Sequence, residues 1–227
     1  MATRDHQDHQ DDMAIDRMHS HLTDAGAKLA NNKKIIFICV GIIAVVAAFT
    51  MSYLFIYKNP HVTKSFEELN GVAINATNDS IAAEQYKAVA DKYKGETAGN
   101  LAALSAGEAL YSQGNYEEAA EYLKRFSSKE PVLEANAMVL TGDCYVNLGK
   151  YDEALDWFQK SIRKANGNPQ IVPRVLLKEA VVYDELQKYD KALECYQMIK
   201  DNYPEFSLGN NMEIDAYIAR ENARLQN

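Results

Sequence analysis

The chain is poor in the residues that covalent and metal-based designs need. Its 227 residues hold three cysteines, Cys39, Cys144 and Cys195, so no disulfide framework is available. There is no paired-cysteine metal motif, no glycine-rich phosphate loop and no serine-centred nucleophile elbow. Four of the five histidines, His6, His9, His19 and His21, fall near the N-terminus, and only His61 lies beyond them. Cys144 and Cys195 have no histidine near them in sequence and read as small packing residues. These shortages argue against an enzyme, and no cofactor is expected. Cations are in short supply too. The 24 Lys and Arg face 32 Asp and Glu, a net charge of -8, which excludes a nucleic-acid surface built on clustered Lys and Arg. A mean hydropathy of -0.36 describes a polar, soluble-looking chain, but that average hides one apolar run.

The run is Ile35 to Tyr57, 23 residues without a charge. At 1.5 Å per residue it is about 34 Å long as a helix, enough to cross the hydrocarbon core of a bilayer. Tyr53 and Tyr57 stand at its end, where amphipathic rings favour the membrane interface. A cleaved signal peptide has a shorter apolar region nearer the start of the chain, so a retained anchor is expected. Arg17, Lys28, Lys33 and Lys34 precede the run within about twenty residues, against Lys58 and Lys64 after it. That bias predicts an inside N-terminus and an outside C-terminal domain.

Residues 1–34 hold five bases and six aspartates, net -1, and residues 58–227 hold the remaining -7. The tail interleaves its four histidines with Asp5, Asp8, Asp11, Asp12 and Asp16. Imidazole and carboxylate both bind divalent ions. A closed site needs an ordered scaffold, however, so the tail reads as solvated and mobile rather than metal-binding. Met13, Met18, Leu22 and Leu29 fall at rough helical spacing, a weak signal for a short amphipathic helix.

The C-terminal part repeats itself. Adding 35 to Gly107, Gly114, Tyr116, Ala119 and Leu123 gives Gly142, Gly149, Tyr151, Ala154 and Phe158. Adding 38 to those gives Ala180, Gln187, Tyr189, Ala192 and Tyr196. Each unit reads as two amphipathic helices joined by a tight turn. A small residue on the first helix (Gly107, Gly142, Ala180) lets the second come close. An alanine answers it (Ala119, Ala154, Ala192), and a large side chain four residues on fills the space beside the contact. Gly114 and Gly149 suit a left-handed helix cap, whereas Gln187 is strained there by roughly 1 kcal/mol.

This pattern of small residue, Tyr, Ala, aromatic and terminal Pro (Pro131, Pro204) resembles the tetratricopeptide repeat over about residues 100–206. Two features depart from it. The usual early Trp is replaced by Ala103, Met138 and Leu176, and the second unit exits through the longer Asn166-Gly167-Asn168-Pro169. A degenerate unit precedes the three, with a first helix at about Phe66–Asn75, a cap at Asp79-Ser80, and Ala82 to Tyr86 matching the third unit. Asn211–Leu225 reads as the helix that closes the array. The expected fold is all-α, a solenoid of about nine helices after a single transmembrane helix. Its parts are a tail at 1–34, an anchor at 35–57 and a linker at 58–65. Repeat units follow at 66–99, 100–134, 135–172 and 173–206, with a capping helix at 207–227.

The resemblance implies a ligand groove lined by the first helix of each unit. Its positions here are Leu101, Leu104, Glu108, Tyr111, Asn136, Val139, Asp143, Arg174, Leu177, Val181 and Asp184. Leu104, Val139 and Leu177 are equivalent and apolar. The Lys and Asn set with which chaperone-binding members clamp a C-terminal carboxylate is missing. An apolar stripe edged by Glu108, Asp143 and Asp184 suits a protein segment with apolar anchors and some positive charge. Asn75-Ala76-Thr77 and Asn78-Asp79-Ser80 match the N-glycosylation acceptor, but Asp79-Ser80 reads more simply as a helix cap.

The whole plan of tail, anchor and outward repeats resembles the bacterial inner-membrane anchored repeat proteins that are ancillary subunits of the Sec translocon. That resemblance implies a periplasmic domain that meets translocon subunits, secretory clients or chaperones. The same plan also fits a structural scaffold of an envelope complex for secretion or cell division, or an organelle-surface docking receptor with cytosolic repeats.

Overall fold

The computed structural model describes residues 33–76, 78–207 and 213–226. The histidine- and aspartate-rich tail and the helix expected within it lie outside these residues, except for Lys33 and Lys34. The chain divides into two units, Met1–His61 and Val62–Asn227, which are described separately.

The first unit carries helix α1 (Lys33–Ser52), followed by a six-residue π-helical segment, Tyr53–Lys58. Helix α2 (Asn59–Asn75) begins directly after it. Pro60 has no N–H to donate and its ring crowds the preceding turn, so a widened turn just before it is the expected accommodation. Residues 58–65, expected as a linker, are instead helical, and Pro60 is accommodated by the widened π-helical turn before it. Every side chain from Val40 to Tyr57 is exposed, and among the described residues one helical stretch is long and apolar enough to cross a membrane.

The second unit is built from helix pairs. Helix α3 (Asp79–Lys92) packs against α4 (Thr97–Ser112), which pairs with α5 (Tyr116–Leu123). Helix α6 (Pro131–Asn147) pairs with α7 (Tyr151–Ala165), and α8 (Val172–Glu185) with α9 (Tyr189–Asn202). Helix α10 (Ile214–Leu225) closes the array against α9. From α2 to α10 there are nine helices and no strand among the described residues. The cap of α3 lies one residue earlier than expected. The Asn78 side chain accepts a hydrogen bond from the Ile81 N–H at 2.9 Å, so Asn78, not Asp79 or Ser80, is the N-cap.

The three hairpin turns share one geometry. The N–H groups of Asn115, Lys150 and Lys188 donate to the carbonyls of Leu110, Tyr145 and Tyr183 at 2.8–2.9 Å, each spanning five residues. Such a turn needs a left-handed residue, and it is supplied by Gly114 (φ 80°), Gly149 (φ 70°) and Gln187 (φ 57°). Gln187 is therefore the strained member. Gln187→Gly is expected to raise the unfolding free energy by about 0.5–1 kcal/mol, the strain relieved less the entropy glycine adds to the unfolded chain, as read in urea titrations.

The small-residue logic of the repeats is visible atom by atom. A Cβ on Gly107 would sit 2.5 Å from Leu123 Cγ, and one on Gly142 would run into the Phe158 ring. Ala119, Ala154, Ala180 and Ala192 are all fully buried. Two apolar cores result. One runs from Val72 to Leu123 and Cys144, the other from Ala135 to Ile199, and Tyr145 packs against both. Ser161 ties α7 to α6 by donating to the buried Ala135 carbonyl at 2.9 Å.

The two buried thiols are inert by position. Burial pushes both Cys144 and Cys195 up to about 12, which removes the thiolate that reacts. With Cys39 replaced by serine, the folded chain is expected to leave Ellman's reagent colourless. Unfolding in urea should then release two equivalents.

Candidate protein-interaction face

On α4 the buried face is Ala98, Gly99, Ala102, Ala103, Ala106, Gly107 and Leu110. Leu101, Leu104, Glu108 and Tyr111 are spaced three and four residues apart on the opposite side, and none of them is buried. Asn136, Val139 and Asp143 of α6, and Arg174, Leu177, Val181 and Asp184 of α8, repeat that placement, again without a buried member. The structure therefore sets all eleven residues on the outer sides of three successive first helices. Leu104, Val139 and Leu177 are partly buried, each with one side packed against a core, and Val181 adds a side chain that is 53% exposed.

The acidic edge differs from expectation. Asp143 accepts from Lys178 Nζ at 2.8 and 3.0 Å. Asp184 accepts from Arg220 at 2.5 Å and from Arg224 at 3.0 Å. Burial raises Asp143 above the usual carboxylate range while Lys178 opposes it, and burial together with the Glu221 charge raises Asp184 against the pull of Arg220. Both carboxylates are thus engaged inside the domain and are not open to a cationic ligand. Glu108, raised by burial, makes no ion pair among the described residues and is the one acid of the three still available.

These contacts form a ladder. Asn147 of α6 donates to the Tyr111 hydroxyl of α4 at 3.5 Å, Lys178 of α8 holds Asp143 of α6, and Arg220 of α10 holds Asp184 of α8. The rungs span 36, 35 and 36 residues, so each links a first helix to the one a repeat later. Helix α10 accordingly takes the place of a fourth first helix. It is anchored by Glu221, which is fully buried between Arg220 at 2.5 Å and Arg224 at 3.1 Å, and by Tyr217 stacked on Tyr196 at 5.0 Å. Burial works against the Glu221 charge, but hydrogen bonds from the two arginines outweigh it and hold the carboxyl below its usual range. Sequence reasoning missed Asn147, Lys178, Arg220 and Arg224. The available signal was polar pairs separated by one repeat length.

Among the described residues there is no cluster of three or more His, Cys, Asp or Glu able to hold a metal ion. What the first-helix face offers is shape: an apolar column on helices whose spacing is held by polar rungs. Such a surface can take up a protein segment.

Comparison with known proteins agrees with this geometry. Among solved structures, the MamA protein aligns with a TM-score of 0.50 at 21% identity, covering 73% of this chain and 88% of its own. A second structure, MamA AMB-1, gives 0.52 at 21% identity over 74% and 84%, and BtubC from P. vanneervenii gives 0.51 at 10% identity over 73% and 83%. At these identities the likeness is one of fold. In sequence, an uncharacterized protein of Aquifex aeolicus is 32% identical over 111 residues, 49% of this chain and 60% of that protein. A TPR repeat-containing protein of Methanocaldococcus jannaschii is 30% identical over 92 residues, 40% of this chain and 28% of its own length. The chain thus spans less than two thirds of either relative. The tetratricopeptide-repeat family model matches residues 80–128 and 104–169, and a second model of the same repeat matches 174–205. Together these cover more than half of the sequence, and the chain belongs to the tetratricopeptide-repeat family.

Proposed function

We propose that this protein is a membrane-anchored interaction module of the bacterial envelope. In this reading residues 35–57 span the inner membrane, the N-terminus is cytoplasmic, and the repeats face the periplasm. There the first-helix face meets chains leaving the translocon, or the chaperones that receive them. The observation that carries it is the first-helix face on which Leu104, Val139 and Leu177, partly buried against the two cores, recur at equivalent positions beside Val181, which is 53% exposed. The exposed apolar helix ahead of it supports the anchor, and the Lys and Arg excess before that helix supports the orientation.

Topology is the first test. The exposed Lys150, changed to cysteine in a Cys39→Ser background, is expected to label with a membrane-impermeant maleimide in spheroplasts without lysis. The native thiols Cys144 and Cys195 are silent because they are buried. Labelling only after lysis would exclude the translocation reading and leave the cytosolic docking receptor. The polar ladder favours a second reading, a structural scaffold, since a face of fixed spacing suits one fixed partner. A client groove gives crosslinks to many secretory chains, whereas a scaffold gives one stoichiometric adduct.

A further inference from the structure

Along one edge of the array, the loop leaving α3 and the loop leaving α5 enclose a cleft of about 760 Å³. Its apolar wall is Leu101, Phe126 and Leu133, and its cations are Lys94, Arg125 and Lys129. The walls are fixed. Asn100 and Ser127 exchange two hydrogen bonds at 2.8 and 3.0 Å, joining α4 to the far loop. Arg125 is committed to Asp91 at 2.7 Å and to the Ala90 carbonyl at 2.9 Å. Lys94 and Lys129 are different. Both are exposed, neither makes an ion pair among the described residues, and they sit in the two loops that enclose the cleft. Lys164, one 35-residue shift beyond Lys129, lies on α7 and is paired with Glu134, so it does not extend this pair of lysines.

The charge here runs against the rest of the domain, which carries a net -7 over residues 58–227. One acid, Glu96, lines the cleft against three cations. The volume suits a few residues of extended chain. We propose that this cleft is a second docking site, for an extended acidic peptide segment. One apolar side chain of the segment rests on Leu101, Phe126 and Leu133, and flanking carboxylates meet Lys94 and Lys129. The site is distinct from the Leu104–Val139–Leu177 column and shares only Leu101 with the groove positions, so it stands whether or not that column binds clients. Two unpaired lysines on opposite loops of the cleft select a segment with acids on both sides of its apolar residue, and they disfavour the cationic segments that a bulk acidic surface attracts.

The test uses the full chain in detergent and a peptide carrying fluorescein on its N-terminus, fluorescein-Gly-Ser-Glu-Leu-Asp-Glu-Ser-Gly-amide, followed by anisotropy. Binding is expected, with loss of about tenfold or more in the Lys94→Glu/Lys129→Glu variant, a smaller loss in Leu133→Ser, and none in the control Lys150→Glu. The peptide with Gln and Asn in place of its acids should bind about tenfold more weakly, and added salt should weaken the acidic peptide alone. Thermal melts establish that each variant is folded. No binding up to about 1 mM peptide, equal binding of the neutral peptide, or equal binding by the double variant would overturn the proposal. So would tighter binding to phosphatidylglycerol vesicles that the double variant abolishes, because the cleft would then be a lipid site.

Discussion

Phe158→Ala is expected to cost the repeat domain about 3–5 kcal/mol, the range for emptying a fully buried aromatic site. Phe158 is 0% exposed and lies where α6 and α7 come closest, beside Gly142. The companion variant goes against helix propensity. Gly142→Ala removes a mid-helix glycine, which alone would gain about 1 kcal/mol. The Cβ it adds, however, falls 2.6 Å from Phe158 Cδ1, nearer than van der Waals contact allows. Overpacking typically costs about 1–3 kcal/mol, so the net effect is expected to be destabilising. The two residues share one contact, so the double variant should lose less than the sum of the single losses. Urea unfolding by circular dichroism checks all three. A stabilising Gly142→Ala would mean that the helices separate freely and that the repeat pattern does not encode this close approach.

Stability should also fall as the pH rises through neutrality, because of Glu179. This side chain of α8 is 4% exposed, and its Oε1 has no hydrogen-bond partner among the described residues. Burial pushes its carboxyl up to about 7, and Arg163 of α7 opposes that only in part. Tyr183 on the same helix and Cys195 of α9 are the other titratable groups that feel its charge, and both are neutral in this range because burial raises them too. The sign follows from linkage. A carboxyl raised in the folded state binds its proton more tightly there than in the unfolded chain. The stability this adds is complete below the unfolded value near 4.5 and is lost as the pH rises through about 7. The difference corresponds to something on the order of 3 kcal/mol. Glu179→Gln keeps the shape without the titration. It should match the parent near pH 4, draw ahead of it between about 4.5 and 7, and keep a nearly constant lead above that range in thermal melts. A parent-to-variant gap that is flat with pH would show that Glu179 stays charged, with water or Arg163 compensating.

Much of this architecture is legible in the sequence because the repeat encodes local decisions. Gly142 and Phe158 lie sixteen residues apart and meet across one hairpin, so period and residue size alone point to their contact. Gln187 in the left-handed cap was readable for the same reason, as the 38-residue shift of Gly149. The helical course of 59–65 was not, because Pro60 reads equally well as the end of a segment or as the first turn of a helix. The state of the acidic edge was legible only in part. Asp143 and Asp184 look like ligand-facing charges until the partner one repeat away is placed. For Asp184 that partner is on α10, beyond the last recognisable unit. Burial of Glu179 was hidden because its counterparts, Ala106 and Thr141, are small and disclose nothing about a carboxylate at that register.

The central claim is that the first-helix face of the repeats is where this protein meets other proteins. It is tested most directly by placing a photo-crosslinking amino acid at Leu104, Val139 or Leu177, and at the exposed Glu153 of α7 as a comparison, then irradiating native membranes. The account predicts protein adducts from the three first-helix positions and few or none from Glu153. Adducts confined to Glu153, or none from Leu104, Val139 and Leu177, would contradict it.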